Sequence, residues 1–293
     1  MQAVVFYLIY PLLYLIASLP FWAMYKLSDV FYLLFWMSGY RREVVFTNLR
    51  NSFPEKTEEE IVALAKSYYR YLCDLTLETL KTLTMTSKEA KERCVYHSTL
   101  WLEKMFDEKK SIIIVMGHYG NWEWAGPTFT LNTKYQLNVI YRPLSNPYFE
   151  KMMTRMRTKF GTKITPANQT LREMVASRNS LTATAFIADQ AATTANSYWT
   201  TFLNQDTAVF NGPEKLAVKF NYPVVYMNIK RTKRGYYDLT PELLFENPAS
   251  AKEGEILEIF TKRLEQEIIR DPVIWLWSHK RWKHKRDKNQ VAV

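Results

Sequence analysis

Between positions 111 and 240 short apolar runs alternate with stretches of helical periodicity, and the barest of these runs is Ile112-Ile113-Ile114-Val115-Met116. Five apolar residues in succession, four of them β-branched, leave no polar face for solvent, so the run predicts a strand covered on both sides. Comparable runs lie at 137–141, 182–188, 224–229 and 236–240, with helical patterns at about 121–131, 146–160, 169–179, 212–220 and 253–270 between and after them. This alternation predicts an α/β chain with a mixed, largely parallel central sheet flanked by helices. Upstream, Thr57 and Glu60 have capping-box spacing, and Ile61, Leu64, Tyr68, Leu72 and Leu75 recur at helical intervals, which predicts an amphipathic helix to about Lys81. Glu78 on this helix reads as a solvated or salt-bridged structural residue, or else as one that faces a site.

A length of 293 residues suits one large domain or two small ones, and no linker-like stretch divides it. The net charge of +10 favours anionic partners, whether nucleic acid, an anionic membrane or an acidic substrate. The Lys and Arg residues are dispersed and no recognition motif accompanies them, so nucleic acid is not expected as a partner. Aromatic residues make up 15% of the chain, which fits contact with a half-apolar, half-wet surface such as a lipid interface. Cys73, Cys94 and the four histidines show no metal-ligand spacing, and no metal site is expected.

The first 25 residues carry no charged side chain. A spanning helix needs roughly 20 apolar residues, so residues 1–26 are expected to form an N-terminal membrane anchor, with 27–293 as the catalytic domain. Pro11 and Pro20 argue against one straight helix, and an interfacial anchor with Trp22 and Trp36 at headgroup level is the competing reading. No basic residue precedes the apolar run, which favours retention over cleavage. Lys26, Arg41, Arg42 and Arg50 on its far side place the main body in the cytoplasm.

Directly after the 112–116 run stands GHYGNWEWAG, which puts His118 where a buried strand ends and Glu123 five positions on. Histidine is the side chain whose ordinary pKa suits a general base near neutrality, and a carboxylate can orient it. Five residues along a helix turn side chains roughly 140° apart, so the pair can meet only with His118 in the loop and Glu123 in the first helical turn. No serine or cysteine lies in the motif as a nucleophile, which favours direct attack by a substrate hydroxyl. Taken alone, the pair reads equally well as a structural histidine beside an unrelated carboxylate.

Further motifs follow in order: GYRREVVFTNLRNSFPEK at 39–56, YRPLSNPYFEKMMTRMRTKFG at 141–161, ADQ at 188–190, NGPEKLAVKFNYPVVYM at 211–227 and WLWSHKRWK at 275–283. Together with GHYGNWEW at 117–124 they resemble the lysophospholipid acyltransferase superfamily, and more closely the late acyltransferases of lipid A biosynthesis. The resemblance implies a glycerolipid acyltransferase-like fold, with His118 as base and Glu123 as its partner. It also makes Arg157, Arg142 and Arg155 candidates for holding a phosphate or lying near the acyl donor, against the plainer reading of a solvated basic helix face. Asp189 becomes a site member, with Gln190 at the same rim, and a structural loop cap is the alternative. The implied donor is a thioester on acyl carrier protein or coenzyme A, with no other cofactor and no metal. A lipid A precursor is the implied acceptor, and the bacterial inner membrane, cytoplasmic side, the implied location. A lysophospholipid or amino-acid lipid acceptor is the alternative, and a catalytically silent membrane-associated binding protein is the rival from another class. Asn211-Gly212-Pro213 reads as a turn into a helix whose amides could meet an anion, or as a plain loop. The segment from Trp275 to Arg281 alternates like a strand and reads as a packed basic segment near the membrane; the tail from Lys283 is expected to fray.

Overall fold

A computed structural model of the chain describes residues 2–192 and 197–286. Its N-terminal third is helical: α1 (Gln2–Ser18), α2 (Phe21–Ser38), α3 (Arg42–Ser52), α4 (Glu58–Lys81) and α5 (Ser87–Arg93). Thr57 caps α4 in the expected capping box with Glu60, and Thr86 with Glu89 repeats the device at α5.

The membrane-anchor helix expected over residues 1–26 is not supported, and the stretch is broken, as its prolines argued. Pro20 cannot donate a backbone hydrogen bond, and the chain breaks at Leu19-Pro20 into two helices of 17 and 18 residues. Pro11, by contrast, is accommodated inside α1. No helix among the described residues is long and apolar enough to cross a membrane. The break is fastened to the body: the Lys81 ammonium on α4 donates to the carbonyls of Ala17 (3.0 Å) and Leu19 (2.7 Å). These are carbonyls that the end of a helix leaves without partners. Downstream, Ser28 donates to Asp74 (2.6 Å) and Tyr25 to Glu78 (2.8 Å), so α2 lies against α4 through buried polar contacts.

The remaining chain builds the sheet. In order come β1 (Cys94–Tyr96), α6 (Leu100–Asp107), β2 (Ile112–Met116), α7 (Trp122–Asn132), β3 (Gln136–Tyr141), α8 (Pro147–Thr158), β4 (Lys163–Pro166), α9 (Thr170–Ala176) and β5 (Thr182–Ile187). Then follow β6 (Ser197–Phe202), β7 (Gln205–Phe210), α10 (Gly212–Phe220), β8 (Val224–Lys233), β9 (Tyr236–Phe245) and α11 (Glu255–Arg270). Seven strands pair in the order β1-β9-β8-β2-β5-β3-β4, and only the β8–β9 pairing is antiparallel. A separate antiparallel hairpin, β6–β7, packs beside them.

The apolar run that dominated the sequence is the centre of this sheet. β2 pairs with β5 on one side and β8 on the other, and all five of its residues are buried. Alternate side chains enter two cores: Ile113 and Val115 meet Tyr226, Phe260 and Leu264, while Ile112, Ile114 and Met116 meet Leu137, Trp124 and Val225. Burial on both faces is why the sequence shows no alternation there.

Candidate active site

Parallel register assembles the site. Met116 lies opposite Ile187 at the carboxyl ends of β2 and β5, so the residues two positions beyond each strand, His118 and Asp189, emerge side by side. Ligand sites of open α/β sheets lie at this edge. Close approach requires Gly117, where a Cβ would lie 3.2 Å from the Asp189 Oδ2 and 2.7 Å from Leu264. Gly120 then turns the loop at φ +59°, a conformation costly for other residues, with Ile229 against it.

Asp189 is buried and accepts three hydrogen bonds. Its Oδ1 receives the His118 Nδ1–H at 2.6 Å, and its Oδ2 receives the backbone N–H of His118 and the Trp275 indole N–H, both at 2.8 Å. Burial alone would raise the carboxyl's pKa, but the adjacent imidazole and these donors outweigh it and hold it below the usual value. An ionised carboxylate only accepts, so it fixes the proton on Nδ1 and leaves Nε2 as the unprotonated nitrogen, which accepts from the Gln190 amide. The Gln190 side-chain amide lies 3.1 Å from that Nε2, and the Trp122 ring stands edge-on 5.0 Å from the imidazole.

The expected pairing of His118 with Glu123 is therefore not the one that forms. His118 does sit in the loop and Glu123 in the first turn of α7, but the Glu123 carboxylate meets the Arg157 guanidinium in a two-pronged ion pair at 2.6 and 3.0 Å. Asp189 holds the position beside the imidazole instead. The physical reason is the strand register, which brings a residue 71 positions away closer to Nδ1 than one five positions away.

His118, Glu123 and Arg157 face one cavity of about 490 Å³, whose apolar wall includes Trp122, Phe186 and Phe210. Arg142 stands exposed at its rim and makes no ion pair among the described residues. Arg155 is exposed on α8 and does not line the cavity, so the solvated helix face describes it. Asn211-Gly212-Pro213 does start a helix, but those three residues do not line the cavity. Glu214 in the same turn instead accepts the backbone N–H groups of Gly254, Ile256 and Leu257 at the start of α11.

Glu78 lies beneath the site rather than in solvent. It is fully buried and accepts from Tyr25, Asn121 and Tyr237, each at 2.8 Å, while Asn121 caps α7 through the Trp124 N–H. Burial raises its carboxyl's pKa, and the hydrogen bonds only partly oppose this.

The C-terminal segment is closer to the site than its strand-like pattern implied. After a short 3₁₀ turn, Trp275 bridges to Tyr119 and supplies the indole on Asp189. His279 accepts the Ala191 N–H through Nε2 at 3.2 Å. The signal for Trp275 was present in WLWSHKRWK: an indole N–H in an apolar run must find an acceptor once buried.

His279 sets a pH dependence. Burial lowers its pKa from 6.5 to about 4, so the unfolded chain binds the proton more readily than the folded one. Its stabilising contribution is complete above pH 6.5 and is lost as pH falls toward about 4. Urea unfolding at pH 7 and pH 5 is expected to show a loss for the parent chain that His279→Gln reduces. Asp189, held below its ordinary value, contributes its own loss at lower pH.

The fold and this site define an α/β protein with an imidazole–carboxylate pair at the carboxyl edge of its sheet, opening into a cavity with an apolar wall and a cationic rim. A sequence model of the bacterial lipid A biosynthesis acyltransferases matches residues 1–284, and the chain belongs to that family. No curated protein matches it.

Proposed function

We propose that the chain transfers a fatty acyl group from a thioester donor, carried on acyl carrier protein, to a hydroxyl of a lipid A precursor. His118 Nε2 removes the hydroxyl proton, the oxygen attacks the thioester carbonyl, the C–S bond breaks, and the departing thiolate recovers the proton. Asp189 holds the imidazole in the required tautomer and stabilises its protonated form. The Glu123–Arg157 pair forms part of the cavity wall, and Arg142 offers its unpaired guanidinium to an acceptor phosphate. The observation that carries this reading is the 2.6 Å contact of His118 Nδ1 with buried Asp189, which leaves Nε2 unprotonated, its hydrogen bond from Gln190 to be exchanged for one from the substrate hydroxyl.

The chain acts on lipid from the cytoplasmic face of the inner membrane. Supporting this, α1 and α2 leave a run of large apolar side chains in solvent, including Leu8 (74% exposed), Trp22 (73%) and Met37 (80%). An apolar helical surface of this kind suits a helix lying in the headgroup region.

Purified protein incubated with acyl carrier protein or coenzyme A thioesters and a panel of acceptors tests the reading by mass spectrometry. Acylation of a lipid A precursor is the expected result, with the carrier protein as the better donor. Transfer only to a lysophospholipid or an amino-acid lipid would replace the acceptor, and no transfer to any lipid would overturn the activity.

A further inference from the structure

The basic run at the end of the described chain is held at its start, while residues 287–293 of the tail that was expected to fray lie outside the described residues. Trp282 donates its indole N–H to Thr207 at 2.7 Å and stacks on Phe202, while buried Arg281 donates to the Ala208 carbonyl at 2.8 Å. These contacts fix Arg281 and Trp282 onto the β6–β7 hairpin, and a second cleft, of about 850 Å³, lies between the run, α3 and the hairpin turn. Lys280, Lys283, Lys285 and Arg286 line it against two carboxylates among the described residues, Glu43 and Asp206. None of the four cations is ion-paired among the described residues.

Two tracks join this cleft to the His118 cavity. β7 has Gln205 and Asp206 in the cleft and Phe210 in the cavity wall. Its six residues span roughly 17 Å at about 3.4 Å per residue. The C-terminal run makes the second track: His279 holds Ala191 of the cavity wall, and the next residue, Lys280, faces the cleft. The four cations are exposed at the mouth of the cleft. A cleft lined by that charge fits a protruding acidic element of a protein.

We propose that this cleft docks the acidic carrier protein that delivers the acyl thioester, with the thioester-bearing arm reaching His118 along β7. The inference rests on the reading above that the donor is a protein-bound thioester. It adds where the carrier sits and which cations hold it.

The full chain carrying K283E, K285E and R286E together tests it. These side chains are in part or fully exposed with no hydrogen-bonded role, except that His284 between them is left in place, and a thermal melt matching the parent checks the fold. Direct titration with acyl carrier protein is expected to show binding weakened by about tenfold or more, with the parent's binding falling steeply as salt is added. The KM for the carrier thioester should rise in step, while transfer from a small acyl-pantetheine thioester proceeds at the parent's rate; K283R with K285R should bind as the parent does. Unchanged carrier binding overturns the proposal. So does an equal loss with both thioesters, which would mark a structural effect, or a loss confined to phosphatidylglycerol vesicles, which would assign the cleft to the membrane. If the parent transfers no acyl group from any thioester, the activity reading fails, and the titration still decides the docking site.

Discussion

Replacing His118 by alanine is expected to lower kcat for acyl transfer by about three orders of magnitude, the range lost when a positioned general base is removed. The side chain is partly exposed to the cavity, and its one close charge contact among the described residues is Asp189. Loss of the ring therefore leaves the carboxylate with its two remaining donors, the His118 backbone N–H and the Trp275 indole. Folding should survive, so a matched circular dichroism spectrum must accompany the rate. KM for the acceptor should change little, because the imidazole acts on the reacting proton more than on binding. Turnover within tenfold of the parent would remove His118 from the chemistry.

Asp189→Asn is expected to be nearly as damaging, with kcat down by about two to four orders of magnitude, for a different reason. Three donors converge on this carboxylate, and an amide can answer them only through its oxygen. Its NH₂ then faces either a donor or the ring, and the second arrangement makes Nδ1 the acceptor and moves the ring proton to Nε2. A base that already holds its proton cannot take one. Nitrogen NMR of the imidazole should report the exchanged tautomer in Asp189→Asn and the parent tautomer in Glu123→Gln. If Glu123→Gln moved the proton and Asp189→Asn did not, the assignment of partners would be reversed.

The contrast between these carboxylates marks the boundary of what the sequence could reveal. Apolar runs and helical periods located the central strands and most of their helices because β2, β5 and β8 are buried on both faces or nearly so. Strand order is a different quantity. β5 pairs with β2 although β3 and β4 intervene in the chain, and only this choice sets Asp189 beside His118. Sequence proximity favoured Glu123, while spatial proximity belongs to the register. Edge strands β1 and β4 are three and four residues long, too short to show a period. The β6–β7 hairpin escaped for a sharper reason: its turn puts Leu203 and Asn204 at φ 49° and 63°, as two-residue hairpins require, without the glycine that normally announces such a turn. At the N-terminus, composition alone suggested a membrane anchor. The helix break at Pro20, and the Lys81 side chain that holds it, are set by contacts with α4.

Hydrogen bonds join that break to the candidate site. Lys81 holds the end of α1, Tyr25 of α2 is bonded to Glu78, and Glu78 holds Asn121 at the mouth of the helix bearing Glu123. The N-terminal helices and the loop before α7 are thus joined by successive buried or part-buried hydrogen bonds. Trimming the first 26 residues would take both carbonyl partners from Lys81 and one of three hydrogen-bond donors from buried Glu78. If those helices lie in a lipid surface as proposed, their depth there would set the height at which the cavity opens.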